Sequence, residues 1–191
     1  MHDITTARRY FESALLHFRR AGADRQVLNI RTELDTLTLL AADVAEAVES
    51  MRETLALVRS SAVLSQVLRA LALGNLFSAL TEQGEIDEAL SVAREGIPAM
   101  REVGWFFHYC DHLSLRLAKA GNTDAAARLL GYTEAERARC KNLRRDELQE
   151  RAYQSLLTML NSAMSPAELG RCLAEGAELN QEEAAQLALQ P

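Results

Sequence analysis

The chain has 191 residues, 48% of them apolar and 25% charged, with only 9 Gly and 3 Pro. A domain of this length buries roughly 70% of its unfolded surface, so it holds a core without disulfide or metal staples. The net charge of −6 argues against direct binding to nucleic acid, because phosphate contacts run on Lys and Arg.

Three cysteines, Cys110, Cys140 and Cys172, are widely spaced and form no CxxC pair. That usage fits reduced thiols and gives no zinc spacing. The opening Met1-His2-Asp3-Ile4-Thr5 lacks the basic and apolar regions of a signal peptide. No apolar run approaches a membrane span. A cytoplasmic protein with no membrane partner is the expectation.

Taken in order, the chain reads as helix after helix. Thr5 or Thr6 suits the cap of a first helix that ends near Arg20, with Tyr10, Ala14, Leu15 and Phe18 as its buried stripe. Ala21-Gly22-Ala23-Asp24 breaks it. The next helix covers about Gln26 to Leu40, with Val27, Ile30, Leu34 and Leu37 inward. Ala42 and Asp43-Val44-Ala45-Glu46 make a turn into a helix carrying Val48, Met51, Leu55 and Val58. Ser60-Ser61 is a joint, and Val63, Leu64 and Val67 lead onward.

Leu73, Leu76, Phe77 and Leu80 then fall at i, i+3, i+4 and i+7, one helix face. Gly84 ends that helix, since Gly enters the left-handed conformation without a Cβ penalty. Asp87 and Glu88 open the next, at the positive end of its dipole. Beyond Pro98 and Gly104 comes Trp105-Phe106-Phe107-His108-Tyr109, a concentration of aromatics that can form core or a ligand pocket. One helix face cannot carry all four rings, so at least two are expected in the core. Gly121-Asn122-Thr123-Asp124 is another turn, followed by Ala126, Leu129 and Leu130. The segment from Leu130 to Arg145 reads as helical and charge-rich. Leu148, Ala152, Tyr153, Leu156, Leu157 and Leu160 form a further amphipathic helix. Ser165-Pro166-Ala167-Glu168 carries a capping Ser, a first-turn Pro and a capping-box Glu. Gly176 reads as that helix's end, and Asn180-Gln181-Glu182-Glu183 starts the last. No stretch alternates with a period of two, so no sheet is expected.

The pair Leu71–Ile97 resembles a tetratricopeptide repeat. Leu73, Leu76-Phe77, Leu80, Ala89, Ala93 and Arg101 occupy that family's pattern positions. Phe77 replaces the family's Gly, which implies wider spacing of the two helices, and Arg101 replaces its closing Pro. The turn positions Ala42, Gly84 and Gly121 are spaced by 42 and 37 residues, longer than the usual period of about 34. The resemblance implies an all-α, right-handed superhelix of antiparallel helix pairs. Its repeats would cover about 1–23, 24–60, 61–103 and 104–140, with capping helices at 145–191. The first of these reads as a half-repeat without a visible cap, which points to a homodimer through that end.

The last third is similar to the C-terminal tail of large bacterial regulators, in which a signal-transduction ATPase precedes helical repeats. Many of these carry a DNA-binding domain of the LuxR or winged-helix type. The segments that carry the likeness are Ala126-Ala127-Arg128-Leu129-Leu130-Gly131, the helix near Arg151-Ala152-Tyr153, and Gly176-Ala177-Glu178-Leu179-Asn180-Gln181-Glu182-Glu183-Ala184. Leu173 departs from it, where these tails usually have an aromatic. No GxxxxGK[ST] is present, so nucleotide hydrolysis does not carry over. The resemblance implies a sensor arm that binds an inducer, a partner protein, or the regulator's own ATPase core.

Candidate site residues follow from the repeat register. Asn75 and Ser78, with Arg31 and Asp35 on the corresponding helix of the repeat before, would line a concave groove able to hydrogen-bond an extended peptide. His108, Asp111 and His112 would add to it, being spaced i, i+3 and i+4. Two imidazoles and a carboxylate can also hold zinc with one open position. The His-Tyr-Cys-Asp-His order lacks the Glu of a zincin, and a polar groove wall is the simpler account, so no metal or cofactor is assigned. The two-lysine clamp of chaperone-binding repeats is missing. Arg137, Arg139, Lys141, Arg144 and Arg145 alternate with Glu134, Glu136, Asp146 and Glu147, which suits pairing along one helix. Together these residues indicate a non-catalytic binding domain, the regulatory arm of a transcriptional regulator. The alternatives are a free-standing adaptor for a protein or peptide and, more remotely, a metal-dependent enzyme built on His108, Asp111 and His112.

Overall fold

The structure, a computed structural model, describes residues 4–41, 43–61, 65–140 and 143–191. The expectations at Ala42, Val63, Leu64 and Lys141 lie outside these residues. Ten helices and no strand occur among the described residues. They are α1 (Ile4–Arg20), α2 (Asp24–Leu40), α3 (Val44–Ser60), α4 (Gln66–Gln83), α5 (Ile86–Glu102), α6 (Phe106–Lys119), α7 (Thr123–Arg139), α8 (Glu147–Ala163), α9 (Pro166–Ala177) and α10 (Gln181–Ala188).

The helix ends follow local chemistry. Gly84 takes the left-handed conformation (φ 93°) and its N–H bonds the Leu80 carbonyl, closing α4. The Asp43 and Asn122 side chains accept the backbone N–H groups of Glu46 and Ala125 at the starts of α3 and α7. Full capping boxes open the last three helices: Asp146 with Gln149, Ser165 with Glu168, and Asn180 with Glu183. Four expectations shift. Helix α1 already includes Thr5 and Thr6, so neither caps it. The charge-rich helix stops at Arg139, and residues 143–146 are not helical. Gly176 lies inside α9, which runs on to Ala177. Tyr10, expected on the buried stripe of α1, is exposed, because α1 packs chiefly on α2.

Successive helices pack pairwise from α1 through α7. A second set of contacts joins alternate helices: α2 with α4, α4 with α6, α6 with α8. These four form an inner layer. In the outer layer α9 lies chiefly on α7. Helix α10 folds back onto α7 and α6. This is an all-α helical-repeat fold, compatible with tetratricopeptide-like packing.

Helix α4 supplies much of the core, with Leu73, Phe77 and Leu80 fully buried. Each such side chain contributes about 1.5–3 kcal/mol on removal from water. Of the aromatic run, Phe106 is fully buried and meets the Tyr132 ring at 6.1 Å, while Tyr109 packs partly buried against the core.

Two glycines let α7 and α9 approach closely. A Cβ on Gly131 would overlap the backbone of Leu173, and one on Gly176 would overlap the backbone of Arg128. The two contacts are reciprocal, each helix offering a glycine to the other's main chain. Salt bridges cross the outer layer as well: Arg52 to Glu88, Arg59 to Glu95, and Arg128 to Glu175. These are largely exposed and contribute little individually.

Candidate functional site in the inner groove

The inner helices enclose a cavity of about 400 Å³. Helix α2 supplies Glu33, Thr36 and Leu39, and α3 supplies Met51. Helix α4 adds Leu71, Asn75 and Ser78. Trp105, at the start of α6, is followed by His108, Tyr109 and His112. Asp146, Leu148 and Gln149, at the start of α8, complete the lining.

Four of the residues expected at a groove therefore come together: Asn75, Ser78, His108 and His112. Helical spacing explains the set, because Asn75 and Ser78 lie i, i+3 on α4 and the two histidines i, i+4 on α6. Asn75 is held in place by donating its amide N–H to the Thr36 hydroxyl at 3.0 Å. Ser78 is buried. Among the described residues, neither the Ser78 nor the Tyr109 hydroxyl has a hydrogen-bond partner.

Arg31 and Asp35 lie elsewhere. They face α1 and α3 across a smaller cavity shared with Arg8, Glu12 and Ser50. Arg31 donates to Thr54 and pairs with Glu53 at 3.2 Å. Asp35 accepts from the Ser50 hydroxyl, and burial holds its carboxyl above the usual range despite that bond. The groove face of α2 is instead Glu33 and Thr36.

Asp111 also leaves the groove, a correction to its expected place beside the two histidines. It is fully buried and accepts from Arg137 at 2.7 Å and from Arg145 at 3.0 Å. Arg145 further pairs with Glu134 and stacks on the Tyr153 ring at 3.7 Å. Arg137 lies 5.1 Å from the Phe107 ring centre. The arginines expected to pair along one helix thus split: Arg139 does pair with Glu136, but Arg137 and Arg145 close on a carboxylate from α6. The non-helical residues 143–146 make this reach possible.

Gln149 joins that cluster to the cavity wall. It accepts from Arg137 and from the Asp146 backbone N–H, and donates to the His108 carbonyl at 3.0 Å. On the other side, His112 Nε2 lies 3.4 Å from Glu82. Glu82 also receives Arg151. Burial works against the Glu82 carboxylate, but the bonds from His112 and Arg151 outweigh it and hold its carboxyl below the usual range. Lys119 donates to the carbonyls of Thr81 and Glu82, at 2.7 and 3.0 Å, satisfying the end of α4. Neither cluster is legible from spacing, since the bonds that Asp111 and His112 make to their partners span 26 positions or more.

Among the described residues, no three His, Cys, Asp or Glu side chains converge on a point where they could share a metal ion. All three cysteines are free. Cys110 and Cys172 are buried and Cys140 is exposed. Burial, and then the neighbouring Asp111, push the Cys110 thiol well up, which suits packing rather than attack. No helix among the described residues is long and apolar enough to cross a membrane. Comparison with protein-family models, with curated proteins and with solved structures gives no match to this chain.

Proposed function

We propose that this chain is a non-catalytic ligand-binding domain whose ligand occupies the inner-groove cavity, and that it acts as the sensor arm of a bacterial transcriptional regulator. The observation that carries the binding role is the convergence of α2, α4, α6 and α8 on one volume of about 400 Å³. That lies within the usual size range of small-molecule pockets. Apolar and aromatic atoms make up most of its exposed wall, while polar side chains from α2, α4, α6 and α8 stand among them, an arrangement that can bind and orient a ligand. The regulatory role rests on the tail resemblance, Ala126 to Gly131 and Gly176 to Ala184.

An inducer of small-molecule size suits this cavity better than an extended peptide. The adaptor reading is second, and the exposed Tyr10 and Leu16 of α1 favour it as a place for a partner protein.

Trp105 is the chain's only tryptophan and lines the cavity, so its fluorescence reports on occupancy. A metabolite library titrated against the protein is expected to give saturable changes that a bulkier Ser78→Leu side chain abolishes while the fold is retained. Hits indifferent to that substitution would remove the cavity from consideration. For the regulatory role, capture from native lysate is expected to recover a signal-transduction ATPase carrying a DNA-binding domain. Recovery of unrelated proteins alone would favour the adaptor.

A further inference from the structure

The cavity is uneven in charge. Glu33 and Asp146 are exposed and stand where it opens to solvent, and no Lys or Arg is among its described lining residues. The guanidinium groups nearby are taken up by other carboxylates: Arg151 by Glu82, and Arg137 and Arg145 by Asp111. Among the described residues, no salt bridge engages either carboxylate, and the basic groups of the lining are two imidazoles, His108 and His112, the latter set against Glu82. Burial raises the Tyr109 phenol, and the Asp146 carboxylate on the same cavity raises it further.

The rest of the wall complements that charge. Trp105 and Tyr109 are aromatic, and aromatic faces attract cations. The buried Ser78 hydroxyl is free to accept a hydrogen bond. Leu39, Met51 and Leu71 supply apolar surface behind these groups.

Building on the binding role proposed above, we infer that the cavity selects a small organic cation: a protonated amine carried on an apolar body. The ammonium head sits toward Glu33 and Asp146, and the body against the aromatic and aliphatic wall. A carboxylate of the same shape meets like charge and is rejected.

Three probes with one phenylethyl body test this: 2-phenylethylamine, 2-phenylethanol and 3-phenylpropionate, each titrated against Trp105 fluorescence. The amine is expected to bind about tenfold more tightly than the alcohol, the equivalent of one partly screened ion pair. The carboxylate is expected not to saturate over the same range, and added salt should shrink the amine's advantage. Glu33→Gln combined with Asp146→Asn should bring amine and alcohol to equal affinity. Asn remains a good helix cap at 146 and Glu33 is exposed, so the fold is preserved. Equal binding of all three probes to the unsubstituted protein, or tightest binding of the carboxylate, overturns the charge preference and leaves the binding role standing. An amine advantage that survives the double substitution overturns the assignment to Glu33 and Asp146. No response to any probe overturns the inference, and the library titration then decides the binding role by itself.

Discussion

Asp111 has no exposed surface and holds two arginines that are themselves nearly buried. Removing one partner of such a cluster leaves uncompensated charge in a medium that cannot solvate it. Asp111→Ala is accordingly expected to lower stability by about 3–5 kcal/mol. Urea unfolding would measure this, and a loss below about 1 kcal/mol would mean the two guanidinium groups reach water instead. The same residue explains what sequence spacing can and cannot place. Residues advance about 100° each around a helix, so Asp111 stands about 60° from His108 and about 100° from His112. That divergence is enough to direct the carboxylate toward Arg137 of α7 and Arg145 ahead of α8, while both imidazoles stay on the groove. Asp35 behaves alike, with Glu33 and Thr36 on the groove face two and one positions away. Periodicity identifies which residues share a broad face. Which neighbour a boundary residue meets depends on partners distant in the chain, and a single sequence does not carry that.

At the scale of elements, the contact between α7 and α9 depends on glycine. Gly176→Ala would drive a methyl group into the Arg128 main chain, which cannot rotate away as a side chain could. The expected cost is about 1–3 kcal/mol, as for other overpacked contacts. Gly170 on the same helix is the control, because nothing lies within 4 Å of a Cβ placed there. Gly170→Ala should stabilise by about 0.5–1 kcal/mol through helix propensity alone. Thermal melts of the two variants should move in opposite directions, and parallel shifts would refute the glycine-mediated contact. The helices themselves were plain in the sequence, from the apolar stripe of α4 to the Ser165 and Asn180 caps. Gly176 was visible too, but as a helix end. A glycine that closes a helix and a glycine that admits another helix look the same until the second helix is in place.

At the scale of the molecule, the two ends of the array differ. Helices α9 and α10 seal one end, and Arg116 of α6, fully buried, ties the chain there by donating to the carbonyls of Ala188 and Gln190. The repeat order, the inner and outer layers and the position of the groove all follow from patterns that a helical repeat must show. The residues that join α6, α7 and α8 do not, because charge pairing has no period. At the other end α1 packs chiefly on α2 and contains no buried residue. Its amide hydrogens are therefore held by little more than their own helix, and they should exchange with deuterated solvent first. None of its residues lines the groove cavity. A bound ligand should slow exchange in α2, α4 and α6 and leave α1 at its original rate, so that one segment of the chain serves as an internal clock for the others. Equal slowing of α1 would show instead that the whole array opens as a single cooperative unit.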